Sequence, residues 1–311
     1  MMDTDEFRHA ALLYAGDDEF LEGTVPFVRD GLEEEQPVLV MVPGPKVELL
    51  RDALGVDARE VSFADMTEVG ANPGHIIPEW RQFATDRHVP GGQLRGIGEP
   101  IWSDRTPAEL VECQRHEALL NVAFAGGPAM SLLCPYDTDA LEPAVIEEAR
   151  RSHPLIDEGG HEHHSPHYCG LREAAAPFDE PLPDAPASAI ALAFDSSNLD
   201  ALRMFVTRRA EAAGLPCERG NDLAVAVNEL AANSVRHGGG GGIMREWRDG
   251  ASIVCEVIDN GRIDQPLAGR EIPPPGTVGG YGLWLVNQLC DLMQMRTFDG
   301  GSVVRIHMHR G

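Results

Sequence analysis

Basic side chains are scarce in this chain: 25 Lys and Arg stand against 50 Asp and Glu, a net charge of −25. A field of that sign repels phosphate backbones and anionic membrane surfaces, so direct nucleic-acid or membrane binding is not expected. No CxxC pair occurs. The six cysteines (113, 134, 169, 217, 255 and 290) stand far apart, several inside apolar runs such as MSLLCPY and SIVCEVID. That pattern argues against a disulfide framework and for reduced, buried thiols in a cytoplasm. No apolar run approaches the ~18 residues of a membrane helix, and the acidic start MMDTDEFRHA is unlike a secretory leader. A soluble, cytoplasmic protein is expected. Internal repeats and the phosphate loop GxxxxGK[ST] are also absent.

What is present is 311 residues, 43% of them hydrophobic, a length that favours two cores over one. Residues 7–153 alternate apolar runs (Ala10–Tyr14, Pro37–Val42, Val61–Ala64, Leu94–Gly98, Ala129–Cys134) with amphipathic stretches (Glu19–Glu34, Val47–Leu54, Ile76–Arg87, Pro107–Phe124, Glu142–Ser152). Strands separated by such helices predict an α/β fold, its mostly parallel sheet covered on both faces. Residues 154–187, with GGHEHHSPHYCG and APFDEPLPDAPAS, keep no period of 2 or 3.6 and read as a Pro- and His-rich linker.

Residues 188–311 read as a second α/β domain. Strand Ser188–Phe194 leads to a helix closing near Gly214, and a helix from Glu218 to His237 stops in the glycines 238–242. Strands Ile243–Arg248 and Ser252–Ile258 follow, joined at Asp249-Gly250, a dipeptide suited to a type I′ hairpin. A Pro/Gly-rich loop (262–280), a helix (281–292) and a hairpin closing at Asp299-Gly300-Gly301 complete the domain.

Chemistry concentrates in three segments. Asp222–Gly238 reads DLAVAVNELAANSVRHG. On a helix, Leu223, Val227, Leu230 and Ser234 share one stripe, while Glu229, Asn233 and Arg236 lie opposite, the first two adjacent at i, i+4. A carboxylate beside a carboxamide suits a hydrated Mg²⁺ on the amide oxygen, with the carboxylate left to take a proton; a solvated polar face has the same spacing. Strand Ile253–Asp259 runs into Asn260-Gly261. There an acid can accept from an exocyclic amine and a glycine admits a planar base, though a plain turn reads alike. Gly276–Leu283, GTVGGYGL, precedes an apolar helix. Glycines ahead of a helix N-terminus offer N–H groups to phosphate oxygens, or simply make a loop.

In this order, the ExxxN helix ending in His-Gly, the strand-DNG and the GxGL opening a helix resemble the N, G1 and G2 boxes of the GHKL (Bergerat-fold) ATPases. The resemblance spans essentially all of 188–311, including Gly300-Gly301-Ser302, similar to the family's last box. It implies a Bergerat α/β sandwich on a mixed sheet, with ATP and Mg²⁺ as cofactors. Asn233 would be the Mg²⁺ ligand, Glu229 the general base and Asp259 the adenine reader. Gly261 would flank the base, Arg262 reach a phosphate, Gly280 and Gly282 line the phosphates, and Ser302 complete the nucleotide site. Two features depart from the pattern: Ile263 stands where DxGxG has its second glycine, and Pro273-Pro274-Pro275 stiffens a short lid.

Among GHKL proteins this domain is most similar to the anti-sigma-factor serine kinases, through GGYGLWLVNQLCDLMQMR and the linker that stands where a histidine kinase has its dimerisation hairpin. The likeness implies a sigma factor and a STAS-domain anti-sigma-factor antagonist as partners, phosphoryl transfer to a serine or threonine of the antagonist, and a homodimer. The alternative is a non-catalytic ATP-binding module that switches partner affinity; Ile263 favours it and the intact Glu229/Asn233 pair opposes it. A histidine kinase lacking its hairpin fits least.

Residues 7–153 resemble the MEDS family of sensory domains, through HAALLYAGDDEF, PVLVMVPGPK, RGIGEPIW, ECQRHEALLN and LLCPYDTDAL. That implies a RecA-like doubly wound fold and a small-molecule ligand. Pro43-Gly-Pro-Lys46 follows a strand but lacks the phosphate-loop pattern, so ATP use is not expected here. His116-Glu117 lacks the second histidine of a zinc helix; Cys113 and His116 share a face with Leu120 and read as packed or ligand-lining. His161, His163, His164, His167 and Cys169 are candidate transition-metal ligands, although close spacing in a flexible loop rarely closes a tetrahedral site.

Overall fold

A computed structural model describes residues 7–87, 91–170, 180–273 and 280–310. The chain falls into two units, Met1–Phe178 and Asp179–Gly311, each with its own sheet.

In the first unit, β1 (Phe7–Tyr14), β2 (Val38–Val42), β3 (Ser62–Asp65), β4 (Leu94–Gly98), β5 (Met130–Asp137) and β6 (Leu155–Glu158) run parallel, with β7 (His161–His164) antiparallel on the edge. The order is β3-β2-β4-β5-β1-β6-β7, the RecA-like doubly wound arrangement. Between the strands lie α1 (Gly16–Glu33), α2 (Gly44–Leu54), α3 (Met66–Val69), α4 (Ile76–Arg87), α5 (Pro107–Ala123) and α6 (Pro143–Ser152). Covering both faces is why the strands read as unbroken apolar runs rather than alternating ones. Phe20 and Val28 of α1 and Val47, Leu50 and Leu54 of α2 pack on Leu12, Val40 and Ile97. On β4, Gly96 and Gly98 make room for the Trp80 indole; a Cβ at either would lie 2.6 or 2.9 Å from the ring. Thr106 and Glu109 form a capping box that starts α5.

The stretch expected as linker from residue 154 opens with β6 and β7. Ile156 is fully buried, and Gly159 and Gly160 both take positive φ (61° and 75°) in the two-residue turn between them. That is the backbone a type I′ hairpin requires, and the Gly-Gly signal lies hidden among histidines. Those histidines are exposed: His161, His163 and His164 form β7 itself, so alternation sends neighbours to opposite faces. Of the six free cysteines, 113, 134, 255 and 290 are buried as expected, Cys169 is partly exposed and Cys217 is exposed.

Lys46, the chain's one lysine, reaches back to the buried Glu99 carboxylate and the Tyr14 hydroxyl, and Tyr14 donates to Glu99 at 2.7 Å. It is thus committed to an internal network.

In the second unit the sheet order is β11-β12-β10-β9-β8, antiparallel at every pairing, a narrower arrangement than the mixed sheet expected. The strands are β8 (Ile190–Asp195), β9 (Gly241–Asp249), β10 (Ser252–Asp259), β11 (Leu292–Phe298) and β12 (Gly301–His309). Helices α7 (Leu199–Ala213), α8 (Cys217–His237) and α9 (Tyr281–Leu289) share one core with the sheet, containing Leu223, Val227, Leu230, Met244, Val257, Val286 and Ile306. Gly214 closes α7 in the left-handed conformation, as its position suggested. The β9–β10 turn differs from expectation. Asp249 pairs with Ser252, so its central residues are Gly250 (φ 54°) and Ala251, and only the glycine has positive φ, which excludes type I′.

A charged row crosses the sheet: Gln294, Arg305, Glu256 and Arg245 are register partners on successive strands. Arg305 Nε donates to Glu256 at 2.9 Å and its guanidinium to the Pro183 carbonyl at 2.6 Å, while Arg296 donates to Glu180 O at 3.1 Å. Among the described residues no helix is long and apolar enough to cross a membrane.

Candidate nucleotide site

The apolar stripe of α8 fixes which way its polar face turns. Leu223, Val227 and Leu230 are buried in the core, leaving Glu229 and Asn233 half-buried on the other side. They line a cavity of about 740 Å³ with residues from the strand-DNG and from α9, a size suited to a nucleotide. All eight residues singled out from sequence line it: Glu229, Asn233, Asp259, Gly261, Arg262, Gly280, Gly282 and Ser302.

Asp259 ends β10 and is the most heavily tied group in the site. Its Oδ1 accepts from the Gly261 N–H at 2.8 Å and from Ser302 Oγ at 3.1 Å, and its Oδ2 from Ser234 Oγ at 2.5 Å. A carboxylate offers about four acceptor positions, so one remains for a donor in the cavity. Ser302 sits opposite Asp259 in register on β12, so it acts on Asp259 from inside the sheet. Ser234, assigned from sequence to the apolar stripe, is indeed buried there (1% exposed), and of its two acceptors, Asp259 Oδ2 at 2.5 Å and the Leu230 carbonyl at 3.1 Å, the carboxylate is the nearer. A polar side chain in a buried stripe was the one local signal that could have marked it for the site, where it went unused.

The glycines around Asp259 are required by close approach. A Cβ on Gly238 would come within 2.5 Å of Asp259 Cγ, and one on Gly261 within 2.9 Å of His237 O. The end of α8 is joined to the end of β10 by the Asn260 N–H donating to Gly238 O at 3.1 Å. This is why a helix stopping at His-Gly and a strand stopping at Asp-Asn-Gly occur together.

Gly280 caps α9 with φ 87°, a conformation that favours glycine. A Cβ on Gly282 would lie 2.8 Å from Asn233 Nδ2 and 3.3 Å from Glu229 Oε2, so the first turn of α9 presses on the Glu–Asn pair. Asn233 Oδ1 accepts from Arg236 Nη2 at 2.9 Å, and exposed Arg262 pairs with Asp264 at 3.2 Å. Ile263, where the family's glycine is missing, packs against the core; its N–H and C=O both bond Thr297 Oγ1, at 3.3 and 3.1 Å. Gly276 and Gly279 of the Gly-rich segment, with Pro274 and Pro275, lie outside the described residues.

The cavity fits a purine nucleotide and a hard cation: a carboxylate with one acceptor position left, a glycine beside it, a helix N-terminus, and an amide oxygen next to a carboxylate.

Comparison with known proteins agrees with both halves. Residues 8–154 match the family model of the MEDS domain (MEthanogen/methylotroph, DcmR Sensory domain), and residues 192–308 that of the histidine kinase-like ATPase domain. Among solved structures, the RsbU and RsbW domains of Rv1364c from Mycobacterium tuberculosis are similar at 17% identity and a TM-score of 0.31, over 40% of this chain and 33% of that one. The chain thus spans about a third of that protein's length. No curated protein matches. The chain therefore joins a MEDS domain, residues 8–154, to a histidine kinase-like ATPase domain, residues 192–308.

Proposed function

We propose that the second domain binds Mg-ATP and acts as an anti-sigma factor with serine/threonine kinase activity on a STAS-domain antagonist, under control of the MEDS domain. The observation carrying the nucleotide reading is the convergence of three separate segments on one cavity, at whose wall Asp259 keeps an acceptor position open.

Each residue then has a stated task. Asp259 accepts from the exocyclic amine of the base, held in place by Ser234, Gly261 and Ser302. The first turn of α9, from Gly280 to Leu283, turns its N–H groups toward the phosphates. Asn233 holds the cation through Oδ1, for which Arg236 gives up that oxygen. Glu229, one turn away, accepts the proton of the attacking hydroxyl. When bound, Mg²⁺ neutralises charge between phosphate oxygens, the main requirement of phosphoryl transfer. A second reading, a non-catalytic module whose occupancy switches partner affinity, is favoured by Ile263, whose backbone is committed to Thr297 rather than free to follow a ligand.

Calorimetric titration of Mg-ATP into the full chain tests the site. Binding is expected in the native protein, lost in Asn233→Ala and kept in Glu229→Ala; absence of binding in the native protein overturns the proposal. Incubation with labelled ATP and a STAS-domain protein separates the two readings. Acid-stable label that disappears in Glu229→Ala supports the kinase, and binding without label supports the module.

A further inference from the structure

The first unit buries a group of side chains that the nucleotide chemistry does not use. His9 of β1, Glu117 of α5, Cys134 of β5 and His153 at the C-terminal cap of α6 converge so that one ligand atom from each lies within 4.8 Å of the others. All four are at most 1% exposed. Such residues are seldom buried without compensation, and here four meet at one point.

Three of the six spacings among them are close to those of a coordination shell. A tetrahedral ion with bonds of about 2.0–2.3 Å sets its ligand atoms about 3.3–3.7 Å apart. His9 Nε2 lies 3.2 Å from Glu117 Oε2 and 3.3 Å from Cys134 Sγ, and His153 Nε2 lies 3.2 Å from the same Glu117 oxygen.

The outer contacts orient both rings for this role. The Ala149 carbonyl, 2.8 Å from His153 Nδ1, can only accept, so that nitrogen carries a proton. Asn121 donates through Nδ2 to Ser152 O at 2.8 Å, which fixes its Oδ1 as the atom 3.1 Å from His9 Nδ1. His9 therefore donates there as well. Both Nδ1 atoms being donors, both Nε2 atoms point into the cluster, the arrangement in which a backbone carbonyl or side-chain oxygen sets a ligand's tautomer. Two Nε2 lone pairs then face one carboxylate oxygen, an arrangement only a positive charge stabilises. One thiol proton cannot serve both rings. Glu117 Oε1 and His153 Nε2 have no hydrogen-bond partner among the described residues. Phe7 stacks on His9 and the Tyr136 ring stands edge-on to His153, walling the group off from water.

We infer that His9, Glu117, Cys134 and His153 form a closed structural site for a divalent transition-metal ion of the zinc class. Two neutral imidazoles, one carboxylate and one thiolate balance a 2+ ion to zero charge, which a dry interior demands, and the N₂OS donor set suits zinc. Cys134 releases its proton to solvent as the metal binds. Because the four atoms are sealed, loading accompanies folding. The exposed histidines of β7 take no part.

The test uses the full chain, stripped of metal by chelator in denaturant and refolded with Zn²⁺ or Co²⁺. One tightly held equivalent is expected, with the strong visible bands of tetrahedral cobalt and a near-ultraviolet thiolate-to-cobalt band. In Cys134→Ser the thiolate band disappears while visible bands persist; in His163→Ala both remain. Native protein that refolds without retaining stoichiometric metal, or whose cobalt form lacks the thiolate band, overturns the inference whatever the variants do. That result would mean a proton shared among the imidazoles and Glu117 supplies the charge instead.

Discussion

Replacing Gly282 with alanine should separate nucleotide binding from stability. Gly282 lies in the first turn of α9 without positive φ, so alanine is allowed there, and helix propensity favours it by up to about 1 kcal/mol. The added methyl would stand 2.8 Å from Asn233 Nδ2 and 3.3 Å from both Asn233 Oδ1 and Glu229 Oε2. Ordinary contacts are about 3.5–4.0 Å, so the amide must withdraw by roughly 1 Å. Asn233 is short and rooted in α8, which leaves rotation away from the cavity as the way out. Losing one contact to a charged group costs about 1.5–3 kcal/mol, roughly 10- to 150-fold in Kd. Calorimetry of ATP with Mg²⁺ and with EDTA, beside thermal unfolding, reads out both effects. The Gly282→Ala variant should melt no lower than the native protein, bind Mg-ATP more weakly, and lose little when EDTA is present. Native-like Mg-ATP affinity would refute the placement of the cation on Asn233. Weakening that is equal with and without Mg²⁺ would refute it too.

Asp259→Asn should weaken ATP by about 1.5–3 kcal/mol and reduce discrimination against GTP, measured by competition, because the amide cannot accept from the base amine with the atom that faces it; unchanged discrimination counts against the adenine role. Burial, opposed by Lys46, pushes the Glu99 carboxyl from 4.5 up to about 7. A pKa raised in the folded state stabilises at low pH, so protection of β1 amides from hydrogen exchange should fall as pH rises from 4.5 through about 7. Glu99→Gln should remove that slope; the same slope in both proteins would refute it. Arg305→Ala leaves buried Glu256 with Arg245 alone and should cost about 3 kcal/mol, seen as earlier melting of the second unit.

The central strands of the first unit were legible because β1, β2, β4 and β5 are buried on both faces, whereas the helices beside them, α5 apart, bury one face, so their periods differ. What escaped has a physical cause in each case. β6 and β7 were masked because only Ile156 among their residues is deeply buried and the rest of the hairpin is polar edge. The β9–β10 turn was misplaced by one residue because Asp249 remains in the ladder. The nucleotide cavity was readable since its residues lie in ordered short segments, each with its own spacing. Ser234 was not, because its partner Asp259 is 25 residues away. Of the His9–Glu117–Cys134–His153 group only Glu117 stood in a segment weighed for metal chemistry: two strands, a helix and a cap each contribute one residue, and only the sheet order brings them together.

The contact between Arg236 and Asn233 has a thermodynamic consequence. On the proposed reading one amide oxygen serves two mutually exclusive occupants, a guanidinium of its own helix and an incoming ion. The fraction of molecules with that oxygen released sets the apparent affinity for the ion. A nucleotide whose phosphates give Arg236 another anion to face raises that fraction, so each ligand tightens the other by the same factor. Free Mg²⁺ alone would then be held weakly, and the domain would register the magnesium complex of the nucleotide rather than either component.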